Sequence, residues 1–130
     1  RLSGADVVKS LTLGAKHLPA ESGGLHHVNG RLKYTVVIPQ DRSQHPTVKD
    51  VLFNNEPIDL EKMFTVCVTS SLAKGKLGYV WMKSAERIVD EEFSSQIQDI
   101  VKMYCEKHFA KKEENVVVAP GLGRINIVAE

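Results

Sequence analysis

From Asn54 to Tyr79 the chain reads NNEPIDLEKMFTVCVTSSLAKGKLGY, and this stretch allows few arrangements. Asn54-Asn55 and Pro57 favour tight backbone geometry and cannot extend a sheet ladder, so the stretch opens on a turn. Phe64, Val66 and Val68 then alternate with Thr65, Cys67 and Thr69, the period-two pattern of a strand over 63–69. Gly75 and Gly78 close it with a loop that lets backbone approach another surface closely. Turn, buried strand and glycine loop together make a platform for a small ligand at a strand end.

The flanking segments supply the rest of a fold. Ser3 is a good N-cap, Asp6 approximates a capping box, and Val7, Val8, Leu11 and Ala15 recur at helical spacing. A helix over 4–16 follows, ended by Pro19 and Gly23-Gly24. RLKYTVVI at 31–38 reads as a strand with Leu32, Tyr34, Val36 and Ile38 on one face. The polar loop 39–46 and a returning strand at 47–53 complete a hairpin with a long tip. Residues 77–82 read as a short strand or edge segment. Phe93, Ile97, Ile100, Val101, Tyr104 and His108 repeat over four turns of a long helix. Asp90-Glu91-Glu92 before it, and Lys107, Lys111 and Lys112 near its end, suit the helix dipole. Residues 115–123 are expected as a loop and 124–128 as a final strand, with Ile125 and Ile127 inward. The expected fold is α+β: one domain over 1–130, with a mixed β-sheet packed against an N-terminal helix and one long C-terminal helix.

Composition narrows function by exclusion. The 130 residues carry 17 basic and 16 acidic side chains, a net charge of +1, which gives no electrostatic case for nucleic acid. No apolar run approaches the length of a membrane span. Cys67 and Cys105 read as two buried thiols behaving as small apolar groups, one disulfide being the alternative. His17, His26 and His27 invite a metal reading. Adjacent histidines on a strand point to opposite faces, however, and no Asp, Glu or Cys nearby completes a shell. Surface or loop histidines are the simpler expectation. No Gly-x-Ser-x-Gly elbow or opposed carboxylate pair is present, and Gly75-Lys76-Leu77-Gly78 lacks the ending of a phosphate loop. Read from its residues alone, the domain is non-catalytic.

An ordered set of short motifs carries a resemblance. Pro57, Ile58 and Asp59 in a turn precede Phe64 and Val66 on a strand, then Leu72, Ala73, Gly75, Gly78 and Tyr79. Leu2-Ser3-Gly4-Ala5 opens the first helix, Gly24-Leu25-His26-His27-Val28-Asn29-Gly30 precedes the first long strand, and Gly123-Arg124-Ile125 opens the last. In this order the motifs resemble the C-terminal domain of the 5'-nucleotidase family, which includes ecto-5'-nucleotidases and bacterial UDP-sugar hydrolases.

The resemblance implies a division of labour. An N-terminal metallophosphatase domain would carry two divalent metal ions and the hydrolytic chemistry, with no cofactor held in this chain. The C-terminal domain would grip the nucleotide or other phosphate ester, and Arg1-Leu2-Ser3-Gly4, a strand end passing straight into a helix, suggests that its first part is missing. The matched substrate-binding positions are Ser71, Lys74, Gly75, Lys76, Leu77, Gly78 and Tyr79. Two of them depart from the family pattern. Ser71 stands where a base-stacking aromatic is usual and offers no π face. Leu77 stands where a ribose-binding aspartate is usual and cannot accept a hydrogen bond. Lys74 and Lys76 are candidates to contact anionic groups. A fold kept as a scaffold or partner surface is the alternative, and an unrelated α+β binding module is a third.

Overall fold

Ser3 starts the first helix in the computed structural model, which describes residues 1–21, 23–109 and 123–130. Its hydroxyl accepts the Asp6 backbone N–H at 3.1 Å and donates to the Asp6 carboxylate at 2.9 Å, satisfying an orphan donor at the helix start. Helix α1 (Gly4–Ala15) follows a two-residue strand, β1 (Leu2–Ser3). Val7, Leu11 and Ala15 form its buried stripe. Gly4 is required by a close crossing: a Cβ there would collide with the Asp59 backbone carbonyl, while Gly4 N–H donates to Lys62 O and Ala5 N–H to Leu60 O.

The chain divides into two compact units, Arg1–Glu86 with Leu122–Glu130, and Arg87–Gly121. In the first, β2 (Leu32–Ile38), β3 (Thr47–Phe53), β4 (Glu56–Pro57) and β6 (Ile125–Ala129) form a mixed sheet in the order β4-β3-β2-β6. The β2–β3 and β3–β4 pairs are antiparallel and β2–β6 is parallel. Between Lys33 and Thr35 the register slips by one residue, and Asp50 opposite adopts φ 52°, a bulge that twists the hairpin. Asn54 and Asn55 have φ 55° and 68°, so both central residues of the β3–β4 turn are left-handed, as a tight hairpin of matching twist demands. Strand β5 (Met63–Phe64) pairs with β1 in a separate two-stranded sheet.

Tyr34, Val36 and Val51 of the sheet meet Val7, Leu11 and Ala15 of α1, with Tyr79 and Met82 completing the core. Full burial of such a side chain contributes roughly 1.5–3 kcal/mol, and the stacked face is what holds α1 to the hairpin. The α+β assignment and the mixed sheet against the N-terminal helix hold.

Several local expectations are corrected. Pro57, expected to stay out of any ladder, pairs with Leu52 on the edge strand β4, the place in a sheet where proline is tolerated. The strand expected over 63–69 stops at Phe64, because β1 offers it only two residues to pair with. Cys67 is consequently exposed and Cys105 half-buried, both as free thiols, so neither is the buried apolar group expected. The strand expected at 77–82 is instead a 3-10 turn at Lys76–Gly78 and a short helix, α3 (Val80–Lys83), following α2 (Ser70–Ala73). Leu77 and Gly78, at φ 57° and 90°, reverse the chain, and burial then follows Tyr79 and Met82 at helical spacing. Ile125 packs on the core, whereas Ile127 is 49% exposed on the edge strand.

In the second unit α4 spans Ile97–Phe109. It begins later than Phe93 because Ser94 is extended (ψ 140°) and its hydroxyl donates to Asp90 O at 3.0 Å, closing a separate 3-10 turn at Glu91–Phe93. Ile97, Ile100, Val101 and Tyr104 are exposed. The side chain of His108, the basic pair Lys111 and Lys112 and the loop expected up to residue 122 lie outside the described residues. No helix among the described residues is long and apolar enough to cross a membrane.

Candidate functional site

Residues 70–79 form a loop whose trace is set by three positions. Gly75 ends α2 in the left-handed region at φ 76°, and its N–H donates to Leu72 O at 2.8 Å. Gly78, at φ 90°, passes within 3.4 Å of the Leu13 side chain on α1, measured from where a Cβ would lie. Tyr79 then enters the core at 4% exposure. Between these points Lys74, Lys76 and Leu77 face solvent, as does Ser71 on α2. Leu77 is 79% exposed and takes φ 57°, a conformation that costs a bulky side chain about 1–2 kcal/mol. An apolar side chain held out in strained backbone gains little from its own fold.

The anchor below the loop is a polar cluster in an otherwise apolar core. The Tyr79 hydroxyl lies 2.8 Å from His26 Nε2, the donor being set by the imidazole tautomer. The rings meet edge to face at 5.4 Å. The Tyr34 hydroxyl, reaching up from β2, donates to the His26 carbonyl at 2.8 Å. His26 is therefore gripped at ring and backbone, tying the 24–30 segment to both sheet and loop. Gly14 makes room for it, since a Cβ there would lie 2.6 Å from Gly24 O and 2.9 Å from His26 Cδ2.

Burial favours the neutral form of every member. It pushes the Tyr34 hydroxyl up to about 12, with Tyr79 adding to the effect, and raises Tyr79 as well. His26 is lowered from the usual imidazole value, first by burial and then by the neighbouring His27. The neutral imidazole has one N–H to give and one lone pair to offer, which is what a phenol hydroxyl can meet. Beside this cluster Trp81 packs on Tyr79 at 5.6 Å, donates its indole N–H to Ser10 Oγ at 3.1 Å and carries Lys9 Nζ 4.2 Å above its ring. Loop, α3 and α1 are thus cross-linked by side chains with few unsatisfied alternatives.

The match to known proteins bears on this loop. Residues 1–84, from β1 through the Tyr79 anchor to the end of α3, fit the family model described as the 5'-nucleotidase C-terminal domain. The chain belongs to this family. No curated protein and no solved structure matches it.

Within the 5'-nucleotidase C-terminal domain, the seven candidate residues fall into two groups. Ser71, Lys74, Lys76 and Leu77 share the exposed side of the loop, whereas Tyr79 is turned into the core and Gly75 and Gly78 act through the backbone. His26, read from sequence as a loop histidine, emerges as the residue that pins Tyr79. Its alternation with exposed His27 was the available signal. The partner 53 residues away was not. Among the described residues no three His, Cys, Asp or Glu side chains converge as a metal site would need.

Proposed function

We propose that this domain serves substrate recognition in a metal-dependent phosphoesterase of the 5'-nucleotidase type. Two divalent ions and the hydrolysis of a nucleotide or other phosphate ester belong to a separate N-terminal metallophosphatase domain, its natural partner. The 70–79 loop presents the substrate, and domain motion carries the ester to the metals. The observation carrying this reading is the loop itself: a backbone fixed by Gly75, Gly78 and buried Tyr79, with four side chains held out to solvent.

The nucleoside site is degenerate. Ser71 supplies no stacking face and Leu77 no acceptor, and each loss costs on the order of 1–3 kcal/mol in affinity. Lys74 and Lys76 shift the loop's preference towards an anionic group. Exposed Leu77 in this loop and Val80 just after it also suit a second reading, a domain kept as a protein-binding scaffold.

Calorimetric titration of adenosine nucleotides separates the two. The double variant Ser71→Phe, Leu77→Asp should bind at least about tenfold more tightly than the wild type. No gain, in a variant that remains folded, removes these positions from any nucleoside site. Phosphate release by the protein carrying both domains, lost when this domain is deleted, supports recognition. No turnover by a folded, metal-loaded protein favours the scaffold.

A further inference from the structure

A concavity away from the 70–79 loop gathers positive charge. Lys16 and His17, in the turn after α1, and Arg42 and His45, in the β2–β3 connection, line a cleft of about 260 Å³. Half-buried Leu18 and Ile38 contribute apolar surface to it. Among the described residues no aspartate or glutamate lines it, nor does any residue of the 70–79 loop. The space equals the liquid share of roughly nine waters, so a small molecule fits and a large one does not.

Both walls are shaped by their own hydrogen bonds. Leu18 N–H donates to Ala15 O at 3.0 Å and Ala20 N–H to His17 O at 2.9 Å, folding the turn that carries Lys16 and His17. Asp41 is the nearest carboxylate in sequence to Arg42, yet its oxygens accept Ser43 N–H at 2.9 Å and the Gln44 amide at 3.2 Å. Those bonds, the Ser43 backbone first, hold its carboxyl below the usual carboxylate range. Asp41 therefore orders the loop that displays Arg42 and His45. The ion pairs found among the described residues are Arg1–Glu86 and Lys49–Glu130, so Lys16 and Arg42 have no carboxylate partner there.

Two permanent cations around one cleft, with no carboxylate among its described lining residues, repel each other until an anion arrives. Arginine adds a planar fork suited to two oxygens of a phosphate or carboxylate. The carbonyls at the end of α1 oppose an anion, but those of Leu13 and Ala15 are already engaged by the N–H groups of Lys16 and Leu18. The geometry points to a second binding site on this domain, for a small organic anion. Its oxyanion is held by Arg42 and Lys16 and its compact apolar body lies on Leu18 and Ile38. This site is independent of the recognition role proposed for the 70–79 loop.

Titration of the 130-residue chain with phenyl phosphate, inorganic phosphate and phenol, followed by calorimetry and by the imidazole NMR signals of His17 and His45, tests the site. Phenyl phosphate should bind about tenfold more tightly than inorganic phosphate, move both imidazole signals and outcompete phenol. Arg42→Gln should weaken it about tenfold. Lys62→Gln, an exposed charge outside the cleft, should change it by less than about twofold. Equal losses in the two variants, or binding that leaves both histidine signals unmoved, would refute the site. Phenol binding as well as phenyl phosphate would refute the anion, and inorganic phosphate binding as well would refute the organic body.

Discussion

Tyr79→Phe deletes one oxygen from the anchor beneath the loop and leaves the rest in place. The edge contact with His26 at 5.4 Å and the packing on Trp81 at 5.6 Å both survive. What goes is the hydrogen bond at 2.8 Å to His26 Nε2. Such a bond is worth about 0.5–1.5 kcal/mol net, and stranding a buried partner raises the loss to about 1–3 kcal/mol. His26 is half-buried, so water reaches its ring and the expected cost falls near 1 kcal/mol. Thermal unfolding should drop by about 4 °C, against a loss of about 3–5 kcal/mol for Tyr79→Ala, which also empties the ring's site. A double-mutant cycle with His26→Leu, read by urea denaturation, isolates the pair and should return a coupling of about 1 kcal/mol. Additivity to within about 0.3 kcal/mol would mean that ring packing alone holds the loop down, and the polar anchor would be discarded.

Gly4→Ala should cost about 3 kcal/mol in denaturant unfolding, because its Cβ meets the backbone carbonyl of Asp59, which cannot rotate away as a side chain would. A loss below about 0.5 kcal/mol would contradict the close crossing of 59–62 over the helix start. For His26 the sign follows from a folded value below the 6.5 of the unfolded chain, so the unfolded chain takes up its proton first. Its contribution is fully present above 6.5 and is lost as the pH falls from there through the folded value. His26→Leu should therefore lose less stability than the wild type between about pH 7 and pH 5, and an equal or larger loss in the variant would overturn the burial argument.

What the sequence conveyed was chiefly local. The Ser3 cap, the α1 stripe and the Asn54-Asn55 turn are written in neighbouring residues, and each appears where its chemistry requires. Strand β2 was legible from the alternation of Leu32, Tyr34, Val36 and Ile38, whereas β3, interrupted at Asp50, was legible only as the return of the hairpin. Strand 63–69 failed because a strand's length depends on its partner, and β1 supplies only Leu2 and Ser3. Segment 77–82 failed because its alternation of large side chains imitates a strand, while Leu77 in the left-handed region forces a reversal that no propensity for leucine predicts. The exposed side of the loop could be read from its polar residues and glycines. The His26–Tyr79 contact could not, since it joins segments 53 residues apart and neither side chain announces the other.

These failures bear on the loop's chemistry. Its course is determined at Gly75, Gly78 and Tyr79, through two left-handed glycines and one buried phenol. The side chains of Ser71 and Leu77 contribute almost nothing to that course: one is exposed on α2, and the other is 79% exposed, although the Leu77 backbone takes part in the reversal against its own preference. Aspartate tolerates the left-handed region better than leucine does, so an acidic residue at 77 would relieve strain while adding an acceptor. Shape and the proposed recognition chemistry are thus separable in this domain. A change in ligand affinity on altering Ser71 or Leu77, with no loss of stability, reports on recognition alone. Altering Tyr79 or either glycine reports on the platform that presents it.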